Sequence, residues 1–87
     1  MDRVELLTTL KEIVTPYADD KNAVEHINEN TDFLADLKIN SANLVDIILD
    51  IEEKFGIEID NDSMAKMLNV KATEEIIEQK IAEKNAG

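Results

Sequence analysis

Ser41 is the side chain whose position most invites chemistry. It stands where a polar stretch ending at Asn40 meets the strongest apolar periodicity in the chain, residues 41–55. A serine there can serve as a plain N-cap, as a nucleophile, or as a point of covalent attachment. A nucleophile needs a base, and the only histidine, His26, falls in a long polar loop, where a solvated side chain is the expected role. Two glycines cannot build a Gly-x-Ser-x-Gly elbow or a Gly-rich phosphate loop. With no Cys there is no thiolate zinc site, disulfide or cysteine nucleophile, so any thiol chemistry must use a borrowed thiol. Asp60-Asn61-Asp62 begins like a calcium-binding loop, but Ala65 and Lys71 occupy the positions where that loop requires Gly and Glu. No catalytic residue and no dedicated metal site are expected.

The charge balance narrows the partners. Among 87 residues, 20 are acidic and 9 basic, a net charge of −11, which repels nucleic acid and anionic membrane surfaces and favours basic partner proteins. The acidity is local: Asp46, Asp50, Glu52, Glu53, Glu58, Asp60 and Asp62 face only Lys54 within residues 46–62, leaving −6 there. Self-repulsion should therefore weaken a small fold, and divalent cations or neutralisation of Asp60 and Asp62 should relieve it. The longest apolar runs, Phe33-Leu34-Ala35 and Ile47-Ile48-Leu49, are far too short for a signal-peptide core or a membrane span, so a cytoplasmic protein is expected.

The elements that must position Ser41 follow from apolar spacing. Leu6, Leu7, Leu10, Ile13 and Val14 recur at helical intervals behind Asp2, with Glu5 three residues on as in a capping box, and Pro16 ends this helix near Thr15. From Tyr17 to Asn40 the pattern weakens into an Asp- and Asn-rich segment. Ala23, Val24 and Ile27 can form an exposed helical turn or two, while Phe33, Leu34, Leu37 and Ile39 anchor the remainder to the core. Ser41 to Phe55 is the best helix, capped by Asn40 or Ser41 and stopped by Gly56. Ile57 and Ile59 make an extended step into a short helix with Met64, Met67 and Leu68, and Thr73 to about Lys84 forms the last helix before a fraying tail, Asn85-Ala86-Gly87. These elements predict one all-α domain over residues 1–87, a small four-helix bundle of three longer helices and one short one with a long first loop.

The 41–55 helix has two apolar faces. Leu44, Ile47, Ile48, Ile51 and Phe55 share a core arc, while Ala42, Val45, Asp46, Leu49, Glu52 and Glu53 share the opposite one. Two aliphatic side chains among three carboxylates suit a docking surface with an apolar centre and an acidic rim.

The stretch Asp36-Leu37-Lys38-Ile39-Asn40-Ser41-Ala42-Asn43-Leu44-Val45-Asp46, followed by Ile51-Glu52-Glu53-Lys54-Phe55-Gly56-Ile57-Glu58-Ile59, resembles the acyl carrier proteins. In that family Asp-Leu-Gly-x-Asp-Ser-Leu opens the second helix, and Glu-Glu-x-Phe-Gly-Ile ends it. The resemblance implies a carrier that is not an enzyme. Ser41 would hold 4′-phosphopantetheine derived from coenzyme A, and the arm's thiol would carry an acyl group as a thioester. An anion on Ser41 would sit at a helix N-terminus, where free N–H groups and the helix dipole favour it. Asn40 stands where the family usually has Asp, and Ala42 where it has Leu, which implies a specialised carrier or weaker recognition by general partners.

The implied partners are a phosphopantetheinyl transferase and acyl-processing enzymes with basic patches, touching Asn40, Ala42, Val45, Asp46, Leu49, Glu52 and Glu53 of a monomeric carrier. With only three aromatics in the chain, a medium-length acyl group is expected to fold back among Leu44, Ile47, Ile59, Met64, Leu68 and Ile76. Two alternatives stay open: an aminoacyl or peptidyl carrier, and an unmodified acidic adaptor.

Overall fold

The computed structural model describes residues 2 to 86, so the expected ends of the domain, Met1 and Gly87, lie outside the described residues. Helix α1 (Arg3–Val14) starts as its sequence dictates: Asp2 Oδ1 accepts the Glu5 N–H at 2.8 Å, and Leu6, Leu10 and Val14 turn inward. α2 (Lys21–Glu25) is a short helix capped by the Asp20 carboxylate, which accepts the Ala23 N–H at 3.1 Å. Its Val24 is buried, so this turn is pinned to the core and not merely exposed. α3 (Ser41–Phe55) follows, then α4 (Asn61–Met64) and α5 (Val70–Ala86). The architecture is all-α, with three long helices and two short ones where the apolar pattern shows one short helix plainly.

Gly56 ends α3 in the left-handed conformation, φ 65°, with its N–H on the Glu52 carbonyl. α5 begins three residues before the expected Thr73 because Asn69 caps it, accepting the Ala72 N–H at 2.8 Å. It continues to Ala86, past the expected end near Lys84.

α1 packs on α3 and α5 around one core that includes Leu6, Leu10, Ile47, Ile51, Val70 and Ile77. Phe33, Leu37 and Ile39 enter the same core from the first loop, as their apolarity requires. Backbone bonds also stitch this loop to the approach to α5. Phe33 N–H donates to the Leu68 carbonyl, Val70 N–H to that of Thr31, and Lys71 N–H to that of Glu29, each at 3.0 Å. Asp32 and Asn69 pair as an isolated antiparallel bridge. The loop is thus a second layer fastened at both faces, and it aims the start of α3.

Candidate functional site

Asn40 adopts an extended backbone and places Oδ1 2.9 Å from the Ala42 N–H, while its carbonyl accepts the Asn43 N–H at 2.8 Å. It is therefore Asn40, not Ser41, that caps α3. Ser41 becomes the first helical residue, exposed, and among the described residues its hydroxyl has no hydrogen-bond partner.

The turn ahead of Asn40 is built by two aspartates. Asp32 Oδ1 accepts the N–H groups of Leu34 and Ala35, both at 2.9 Å, and Asp36 Oδ2 accepts the Asp32 N–H at 2.7 Å. The chain then passes Lys38 with φ 54°, the only non-glycine residue with positive φ among the described residues. The family signature carries glycine here, so Lys38 is a third departure, and its positive φ is the reason glycine suits the position. Ile39 is buried just before the site, its N–H on the Phe33 carbonyl at 3.1 Å.

The outer face of α3 presents Val45 (47% exposed) and Leu49 (54%) with Ala42, Asp46 and Glu53 also in solvent, as the helical wheel predicts. Glu52 differs. It is half-buried, and its Oε2 accepts the Ile59 N–H at 2.7 Å, fastening the extended segment after α3 back onto that helix. Asp50, which the wheel gave no role, accepts the Tyr17 hydroxyl at 2.8 Å and raises the Tyr17 pKa through that bond.

Of the residues expected around a guest chain, Ile47, Ile59 and Ile76 are buried, and Leu44 and Met64 are half-buried against the core. Leu68 is 46% exposed, because Met67 takes the interior position beside it. A surface cleft of about 640 Å³ lies elsewhere, lined by Gly56, Ile57, Asp60 and Lys80 among others at the opposite end of α3 from Ser41. There Lys80 Nζ is 3.1 Å from Asp60 Oδ1, and bonds from Ser63 and Lys80 hold the Asp60 carboxyl down to about 2. The expected repulsion at Asp60 is thus answered by a cation from α5. Among the described residues no cluster of His, Cys, Asp and Glu could hold a metal ion.

An exposed, unbonded hydroxyl in the first turn of a helix, with its neighbour doing the capping, suits a phosphodiester. No acidic side chain lies between Asp36 and Asp46 to repel one. Fold and site together define a small helical domain that presents one exposed serine at the start of α3.

Comparison with known proteins supplies the family. Residues 17–77 match the family described as "Phosphopantetheine attachment site". The acyl carrier protein of Lactobacillus acidophilus is 35% identical over 71 residues, 80% of this chain and 85% of the relative. That of Rubrobacter xylanophilus is 32% identical over 85 residues, 94% of this chain and all of the relative. That of Nitratidesulfovibrio vulgaris (strain DP4) is 39% identical over 49 residues, 56% of this chain and 64% of the relative. The chain belongs to the acyl carrier protein family, whose members are carriers that tether acyl groups through phosphopantetheine and are not enzymes. Such a carrier interacts with a phosphopantetheinyl transferase and with acyl-processing enzymes. No helix among the described residues is long and apolar enough to cross a membrane.

Proposed function

We propose that Ser41 carries the phosphopantetheine arm and that the loaded chain, a cytoplasmic monomer, delivers acyl thioesters to enzymes of fatty acid, lipid or related acyl biosynthesis. The observation that carries this reading is the free, exposed Ser41 hydroxyl, released from capping by Asn40, within the segment that matches the attachment-site family. The arm supplies a thiol, which the chain itself lacks, for the thioester. α3 supplies the docking surface: Val45 and Leu49 give apolar contact, and Asp46 and Glu53 steer a basic patch toward the arm. Leu44, Ile47, Ile59, Met64 and Ile76 form the wall that a folded-back acyl chain would part, with Leu68 at its outer edge. The names of the relatives favour the acyl over the aminoacyl reading.

The test is intact mass after incubation with coenzyme A and a phosphopantetheinyl transferase. One added phosphopantetheine is expected on the native chain and none on Ser41→Ala. Addition to Ser41→Ala, or failure of the native chain with several transferases, would overturn the assignment and leave the unmodified adaptor.

A further inference from the structure

Lys38 is the one charged residue between Asp36 and Asp46, in a chain whose net charge is −11. It is exposed, none of the salt bridges among the described residues includes it, and it lies three residues before Ser41. Three residues span at most about 11 Å even when fully extended, within the combined reach of a four-carbon lysine stem and a phosphodiester on the serine oxygen.

Its backbone gives a second reason to look here. At φ 54° a β-carbon is disfavoured, by roughly 1–2 kcal/mol for an ordinary residue, and the surrounding hydrogen bonds together with the burial of Leu37 and Ile39 hold the turn. Glycine would adopt this conformation without that cost, yet the position carries a long cationic side chain. The neighbouring carboxylates offer it little: Asp36 Oδ2 is engaged by the Asp32 N–H and Asp32 Oδ1 by two further N–H groups. At Asn40 the capping oxygen is neutral where an aspartate would repel an anion. The one charge within four residues of Ser41 thus suits a negative group at the serine, whereas Asp46, Asp50, Glu52 and Glu53 make the rest of α3 mostly acidic.

We propose that Lys38 pairs with the phosphodiester that joins the arm to Ser41, making it a specificity-determining residue that holds the root of the arm against the start of α3. This rests on Ser41 being the attachment point. The pairing would restrain the arm's first bonds and cancel the one cation within five residues of the serine in the chain, so that a loaded carrier presents a different charge pattern from an unloaded one. Partners that bind before and after loading would be distinguished at this spot.

The experiment is lysine footprinting of the full chain before and after loading, with intact mass first confirming the added arm. Brief acetylation followed by peptide mapping should label Lys38 roughly two- to fivefold more slowly in the loaded form, the range of an exposed ion pair, with Lys66 and Lys71 unchanged as internal controls. Raised salt should remove that protection. The ³¹P resonance of the loaded protein should move in Lys38→Met and stay near its native position in Lys38→Arg. Equal labelling of Lys38 in both forms overturns the proposal, and so does protection without any ³¹P change in Lys38→Met, which would mean simple shielding by the arm. A chain that takes no arm fails at the mass measurement and overturns the assignment of Ser41 as well.

Discussion

The Asn40 Oδ1 closes the first turn of α3 at 2.9 Å from the Ala42 N–H, which relieves the Ser41 hydroxyl of the capping task that a serine at a helix start often performs. Removing each therefore has a different signature. Asn40→Ala should cost about 1 kcal/mol of stability, the usual value of a lost N-cap, with Ser41 still present for loading. Ser41→Ala should change stability by less than about 0.5 kcal/mol, as expected for an exposed side chain without partners, and should abolish loading. Chemical denaturation of both variants beside intact mass checks the division. Equal destabilisation by the two would mean that Ser41 shares the cap.

Lys38 gives the second prediction. Lys38→Gly removes the clash of a β-carbon at φ 54°, and the greater freedom of glycine in the unfolded chain takes back part of the gain. The net effect should be a stabilisation of up to about 1 kcal/mol in the unloaded protein. A loss of stability would show that the lysine side chain makes a contact worth more than the strain.

How far the site could be read from the sequence turns on which residues act through their own side chains. The place of Ser41 at the start of α3, of Val45 and Leu49 on its outer face, and of its core face was legible because period and motif fix it. α5's true start was not, since Asn69 caps through one short bond with no periodic signal to mark it. The bond that Glu52 makes was hidden for a related reason. A helical wheel assigns it to the outer face, whereas its carboxylate reaches past the end of α3 to a backbone N–H seven residues on. Asp60 looked like one more repelling charge because its cation, Lys80, comes from the far end of the chain.

That pair reverses an expectation. Neutralising Asp60 should not relieve the molecule, because the bond to Lys80 and the interaction with Ser63 would be weakened, so Asp60→Asn should lower the melting temperature. Asp62 is exposed and has no salt bridge among the described residues, and Asp62→Asn should leave the melting temperature unchanged or raise it slightly. The pH dependence has a definite sign. The folded Asp60 carboxyl titrates at about 2, below its ordinary 3.8, so its contribution is present above pH 3.8 and lost as pH falls toward 2. Melting curves of both variants at neutral pH, and of the native chain down that range, test it.

Glu74 works in the opposite direction. It is fully buried, one carboxylate oxygen lacks any hydrogen-bond partner, and the other is 3.4 Å from Arg3, which also binds Glu29 and Glu78. Burial pushes its carboxyl above the ordinary value of 4.5, with Arg3 opposing. The folded protein then holds a proton that the unfolded chain releases, so stability should fall as pH rises from 4.5 through the folded pKa. Glu74→Gln keeps an oxygen for Arg3 and carries no charge to desolvate. The variant should lose that part of the pH dependence, melting with less change as pH rises above 4.5 than the native chain. An unaltered pH profile would show that Arg3 fully compensates the buried charge.

On the proposed docking face of α3, Asp46 and Glu53 stand in solvent while Glu52 is tied to the Ile59 N–H, and substitution should separate the two kinds. Asp46 and Glu53 are exposed and no salt bridge among the described residues involves them, so Asp46→Lys with Glu53→Lys should slow association with a basic acyl-processing enzyme while leaving the melting temperature nearly unchanged. The native association rate should fall as salt rises, since steering is screened over about 10 Å at 0.1 M. Glu52→Ala should behave differently. It removes the acceptor of the Ile59 N–H and should cost roughly 1–2 kcal/mol, a value between those of neutral and charged hydrogen bonds, loosening the segment that carries Ile57 and Ile59 into the core. Association kinetics by stopped flow, read beside melting, tell the two apart. Should Glu52→Ala slow association at full stability, its carboxylate would be free to meet the partner, and the bond to Ile59 would not hold that segment.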